Sequence, residues 1–272
     1  MKLKQTFISV TALFGLLTTT AAADTLTHGT TTVTMDFVTI GNPGNAGDTT
    51  ALPNPCGAVA YTYYIGKYEV TADQWAAVRA ADHNVGNGGM WSGSQPTADT
   101  SWYEAAKFCN WLTTGSAATG VYSFTGSITN PTGVTINRSY RNEAGMAYFL
   151  PTEDEWYKAA YYDGSAGIYY DYPTGSNSVP DGIDYPGDTA FDAVFDDGYN
   201  QGHPNAVTNA GVASPYGTIG QAGNVWEWEE TAIDSSRGLR GGAWLDYSDD
   251  VATWCRYIGG IDPTDERGAI GF

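Results

Sequence analysis

Basic residues are scarce in this chain: 12 lysines and arginines face 30 aspartates and glutamates over 272 residues, a formal charge of −18. A surface of that sign repels nucleic-acid phosphates and anionic lipid headgroups, which excludes nucleic-acid binding. Cysteine is sparse too, with Cys56, Cys109 and Cys255 only, and no Cys-x-x-Cys pair, so thioredoxin-like chemistry and structural zinc are excluded. Histidine occurs three times, as His28, His83 and His203, and His203 before Pro204 reads as a loop residue. No His-Glu-x-x-His, Gly-x-Ser-x-Gly or phosphate-binding loop is present, which removes the common hydrolase and nucleotide motifs. Beyond the N-terminus no apolar run reaches the roughly 18 residues of a membrane span.

What the chain does have is 34 glycines, 12 prolines, 42% hydrophobic and 14% aromatic residues. That supports a packed core but disfavours helical bundles, so a loop-rich α+β or all-β domain is expected. Residues 1–23 carry Lys2 and Lys4, an apolar stretch from Phe7 to Leu17 and the small run Ala21-Ala22-Ala23. This is the pattern of a secretory signal peptide cleaved before Asp24, and it predicts a secreted protein, extracellular or periplasmic. Without Lys2 and Lys4 the acidic excess grows, making cations, basic ligands and calcium the natural electrostatic partners. Three cysteines in an oxidising compartment allow at most one intrachain bridge, and the pairing is open.

Periodicity places the elements. THGTTTVTMDFVTIG reads as an opening strand and AYTYYIGKYEV as a second. Capping boxes at Thr71-x-x-Gln74, Ser101-x-x-Glu104 and Thr152-x-x-Glu155 predict three short helices, each with a tryptophan. In the second, Ala105, Phe108, Cys109 and Leu112 share a face, so Cys109 reads as a buried apolar residue. Trp102, Trp111 and Trp156 are expected in the core, and Trp226 and Trp228 on a strand with one ring in and the other partly out. Arg240-Gly241-Gly242 reads as a strand entry. Residues 159–236 contain no lysine or arginine but many aspartates, a run that either spreads into solvent or is neutralised by a hard cation. No twelve-residue EF-hand loop occurs.

The ordered blocks YYIGKYEVTADQWAAV, DTSWYEAAKFCNWL, FLPTEDEWYKAAYYDG, SPYGTIGQAGNVWEWEE and GLRGGAWLD, closing with AIGF, resemble the formylglycine-generating enzyme family, or sulfatase-modifying factor domain, from about residue 30 to 272. The resemblance implies an α+β, C-type-lectin-like fold with little regular structure, a small antiparallel sheet, short flanking helices and long calcium-held loops. It implies one calcium site from Asp184, the Tyr185 carbonyl, Asp197 and the Tyr199 carbonyl. It implies a second from the Gly223 and Val225 carbonyls and the Glu227 carboxylate, with one further ligand missing because Gly220 stands where the family has Asn or Asp.

The family's enzymes oxidise a substrate cysteine with copper(I) held by two cysteine thiolates. Here those positions are Asp246 and Val251, so no copper is expected, and Cys255 is the one thiol left as a catalytic candidate. The family's iron-dependent sulfoxide synthases take histidines from a separate helical domain, of which there is no sign here. The resemblance also implies a continuation past Phe272 through an arginine and a final strand, with a disulfide partner for Cys109 and a C-terminal sorting anchor beyond it. The leading expectation is a secreted, non-catalytic, calcium-stabilised domain binding a protein or glycan through Trp244, Tyr247, Trp254, Arg256 and Tyr257. The alternatives are a copper-dependent oxidoreductase making formylglycine, a divergent thiol oxidase built on Cys255, and a purely structural calcium-stabilised exoprotein.

Overall fold

The computed structural model describes residues 22–257 and 259–272. All but the last two residues of the expected leader lie outside the described residues. The opening Thr/Val-rich segment is a hairpin rather than the single expected strand: β1 (Ala22–His28) turns at Gly29, φ +61°, and pairs antiparallel with β2 (Thr31–Ile40). Strand β3 (Tyr63–Gly66) adds to the other edge of β2. Alternation along β2 then sets the layers. Val33 and Met35 face helices α1 (Ala72–Ala81) and α2 (Trp102–Thr114), while Val38 and Ile40 on the opposite face pack with Ala159 and Tyr162 beside α3 (Glu153–Tyr161).

All three helices begin as their sequences dictate. Thr71, Ser101 and Thr152 each accept from the backbone amide three residues on, and Gln74, Glu104 and Glu155 accept from the cap amides at 2.8, 2.9 and 2.7 Å. Helix α2 is covered on both sides, because Trp102, Ala105, Ala106 and Cys109 join one core cluster while Phe108, Trp111 and Leu112 join another. It is the central pillar of the domain.

Hairpin β4 (Tyr122–Ser127) and β5 (Asn130–Ile136) follows α2, and the short pair β6 (Tyr162–Asp163) and β7 (Ile168–Tyr169) follows α3. A second sheet orders β10 (Ile270–Gly271), β8 (Trp226–Ile233) and β9 (Ser236–Arg240). Trp226 and Trp228 both turn inward, at 6% and 0% exposure. Residues two apart in a strand share a face, so the expectation of one ring partly out is corrected. Indole Nε1 of Trp228 donates to Thr100 O and that of Trp102 to Glu229 O, both at 2.8 Å, locking the sheet onto the start of α2. Arg240-Gly241-Gly242 is the exit of β9 and not a strand entry. Among the described residues no helix is long and apolar enough to cross a membrane. The result is a loop-rich α+β domain of small sheets and short helices.

Candidate functional site

The turn from Gly220 to Glu227 is pinned on three sides. Asn224 N donates to Val194 O at 2.7 Å, Gly223 N to Gly241 O at 2.7 Å, and Trp226 N to Ala269 O at 2.9 Å. Gly223 has φ +87°, and a Cβ there would stand 2.1 Å from Val194 O, so glycine alone lets the two loops meet. These bonds orient the oxygens of the turn. Among the described residues no hydrogen bond ends on the Gly223 or Val225 carbonyl, although both residues are buried.

Two carboxylates meet at this turn. Glu227 accepts from Trp156 Nε1 at 2.9 Å, and burial pushes its carboxyl up to about 7, against the opposing pull of that indole. Glu69, on the stretch joining β3 to α1, is 4% exposed and accepts from Asn224 Nδ2 at 2.7 Å and Val225 N at 3.2 Å. Its carboxyl is raised well above the ordinary range by burial first and by the Glu227 charge second. Neither acid is in an ion pair among the described residues. Both residues also line a cleft of about 880 Å³ whose walls include Tyr61, Tyr63, Tyr148 and Phe272.

Glu69 was missed in the sequence because Tyr68-Glu69-Val70 reads as ordinary strand. The available signal was a single carboxylate inside an apolar run leading into a helix cap.

The first expected calcium site is a pair of exposed loops brought side by side. Ile183 pairs parallel with Asp196, and its carbonyl accepts from Asp197 N at 3.0 Å and Tyr199 N at 3.1 Å. Asp184 and Asp197 therefore flank one short contact between the loops. The Asp184 carboxyl is raised, by desolvation and then by Asp188 and Asp181. Among the described residues no three His, Cys, Asp or Glu side chains converge on a metal-sized point. The oxygens expected at each site are one or two carboxylates plus main-chain carbonyls, a set suited to a hard cation and no soft one.

At the position expected for the first copper thiolate, Asp246 accepts from Trp226 Nε1 at 2.8 Å, and burial pushes its carboxyl up to about 6. At the second, Val251 is fully buried. All three cysteines are unbridged. Burial raises the Cys56 and Cys109 thiols. Cys255 lies 3.6 Å from Asp250 Oδ1, and burial with that neighbour pushes its thiol up to about 12. A nucleophilic or copper-binding thiolate needs the opposite shift.

The five residues expected to face a ligand divide. Tyr247 and Trp254 are 66% and 42% exposed, and Leu245 joins them at the surface. Trp244 is buried, edge-on to Trp91, and Tyr257 packs edge-on to Trp226. Arg256 turns inward, its Nη2 pairing with Glu153 Oε2 at 2.8 Å.

Residues 25–272 match the model of the sulfatase-modifying factor enzyme 1-like domain. A Paenibacillus barcinonensis protein named chaperone protein LppX is 29% identical over 242 residues, which span 80% of this chain and 82% of that protein. Among solved structures, Treponema denticola variable protein 1 superposes with TM-score 0.62 at 23% identity, covering 93% of this chain and 98% of that one. CarF follows at TM-score 0.59 and 19% identity over 88% and 96% of the two chains. PvdO from Pseudomonas aeruginosa gives 0.54 and 17% over 88% and 92%. The domain model spans nearly the whole chain and the architecture agrees with it, so the protein belongs to the sulfatase-modifying factor enzyme 1-like (formylglycine-generating enzyme) family.

Proposed function

We propose that this chain is an exported, non-catalytic member of its family, stabilised by calcium and used to bind a partner protein. The observation that carries the reading is the pair Asp246 and Val251, a hydrogen-bonded aspartate and a buried aliphatic residue where copper(I) chemistry needs two thiolates. The remaining thiols are buried or raised, so none supplies a substitute. Calcium is supported by oxygen-only donor sets: Asp184, Asp197 and the Tyr185 and Tyr199 carbonyls at one site, Glu227 and the Gly223 and Val225 carbonyls at the other. Bound there, it would supply positive charge that holds the loops together.

The binding surface is the segment from Leu245 to Trp254, where Tyr247 and Trp254 present large amphipathic rings to solvent on an acidic face with Asp249 and Asp250. The relative named as a chaperone supports a protein ligand over a glycan. Metal analysis of the purified domain tests the first half: calcium without copper, and no oxygen consumption with copper(I) and a cysteine peptide, are the expected results. Stoichiometric copper with turnover would overturn it. A displayed peptide library and a glycan array, each probed with the native domain and with a Tyr247→Ala/Trp254→Ala double variant, test the second half. Loss of peptide binding in the variant supports the protein ligand, whereas variant-sensitive binding confined to glycans replaces it with a glycan.

A further inference from the structure

The turn at Gly220–Glu227 gathers more negative character than its own sequence contains. The buried Gly223 and Val225 carbonyls meet no donor among the described residues, and Glu227, whose carboxylate accepts from the Trp156 indole, lines the cleft. A second carboxylate, Glu69, reaches the same turn from 155 residues away in sequence. Buried carbonyls normally find a hydrogen-bond partner, and neighbouring carboxylates, here buried Glu69 and half-buried Glu227, repel unless a proton or a cation lies between them. Among the described residues no lysine or arginine makes an ion pair with either acid.

Gly220 explains why the second acid fits. It has φ +101°, and a Cβ there would stand 2.8 Å from Glu69 Oε2. The Glu69 carboxylate thus occupies the space into which a side chain at 220 would project. A side chain at 220 would make the carboxylate shift, whereas with glycine there Asn224 Nδ2 and Val225 N hold it in place on the turn.

We infer that Glu69 is a ligand of the second cation site, supplying from the β3–α1 connection the oxygen that Gly220 cannot. The site is then a two-carboxylate site, Glu69 and Glu227 with the Gly223 and Val225 carbonyls, matched to a hard divalent ion. Glu69 opens the segment that ends at the α1 cap, so an ion here ties the first sheet to the second. This inference rests on the calcium reading above.

Calcium titration by calorimetry and metal-to-protein ratios after gel filtration test it, with terbium emission sensitised through Trp156, whose indole donates to Glu227. The native domain is expected to hold two calcium ions, an Asp184→Asn/Asp197→Asn variant one. Adding Glu69→Gln to that variant is expected to weaken the remaining site on the order of 100-fold, as ligand charge sets calcium affinity. Thermal melts separate a ligand from a structural carboxylate. In chelator Glu69→Gln is expected to melt no lower than the native protein, since it removes a like charge beside Glu227; in calcium it is expected to lack the native rise. Equal lowering in chelator and calcium, or unchanged affinity in Glu69→Gln while Glu227→Gln loses the ion, would overturn the role of Glu69 and leave the calcium reading standing. A native domain that binds no calcium removes both.

Discussion

Arg240 shows how one residue can organise a fold that has few regular elements. Its side chain is fully buried, with Nε and Nη2 donating to Glu153 Oε1 at 3.1 and 2.9 Å, Nη1 to Cys255 O at 2.8 Å, and Nη2 also to Leu52 O. Glu229, also fully buried, sits 3.8 Å from Nε with neither carboxylate oxygen hydrogen-bonded among the described residues. A Cβ on Gly238 would stand 2.5 Å from Glu229 Oε2, so that glycine makes the room the carboxylate needs. Removing the guanidinium would leave fully buried Glu229 without its ion-pair partner and Glu153 with Arg256 alone. Arg240→Ala is therefore expected to cost about 3–5 kcal/mol, the range for breaking a buried pair. Arg240→Lys should recover little of it, because an ammonium cannot fork to Glu153 and the Cys255 and Leu52 carbonyls at once. Urea unfolding of the three proteins measures this, and a lysine variant as stable as the native chain would refute the fork.

Asp246 makes a different prediction at the same scale. Its carboxyl is raised to about 6, chiefly by burial and then by Asp250, with the Trp226 indole opposing. A raised acid binds its proton more tightly when folded. Its contribution is complete below the unfolded value of about 3.9 and is lost as pH rises through about 6. Asp246→Asn keeps an oxygen for the indole and removes the charge. Its melting temperature is expected to exceed that of the native chain by a few degrees at pH 7.5, with the two converging near pH 4. Parallel pH profiles would show that the charge at 246 is already solvated.

At the level of elements, legibility followed sequence distance. The three helix starts were readable because a capping box spans four residues and its chemistry is local. The core tryptophans on α2 and α3 followed from helical spacing in the same way. The hairpin in place of one strand was missed because His28-Gly29-Thr30 lacks the usual Asn-Gly signal, though Gly29 carries the positive φ. The Glu69 contact was illegible for a stronger reason: its partners Asn224 and Val225 lie 155 and 156 residues away, and no periodicity reports that. Ser101→Ala tests a local device in a demanding place. The cap starts a helix buried on both sides, and Glu104 accepts from both Ser101 N and Ser101 Oγ. The variant is expected to lose about 1–2 kcal/mol, the upper part of the capping range, and Thr71→Ala on the more exposed α1 about 0.5–1 kcal/mol. Equal losses in denaturant melts would mean that burial of α2 adds nothing to its cap.

At the scale of the whole molecule, the formal charge of −18 has to be reconciled with a compact domain. Arg79, Lys107 and Lys158 lie on the helices and Arg237 and Arg240 on β9, whereas residues 159 to 236 hold no lysine or arginine. In that stretch Asp181, Asp184, Asp188 and Asp197 crowd exposed glycine-rich chain whose contacts are largely single backbone bonds. Self-repulsion there falls as the Debye length shortens from about 30 Å at 0.01 M salt to about 3 Å at 1 M. In chelator, raising sodium chloride across that range is expected to raise the melting temperature smoothly by several degrees. Calcium is expected to do as much at millimolar concentration or below, because a ligand bound only to the native state stabilises it in proportion to the logarithm of its excess over Kd. Magnesium at the same ionic strength separates the two effects. A smaller, more tightly hydrated ion is poorly served by a mixed set of carbonyls and carboxylates, so it should track sodium chloride and not calcium. If magnesium and calcium raise the melt equally, the loops respond to ionic strength alone, and the acidic excess is a solvated surface without dedicated sites.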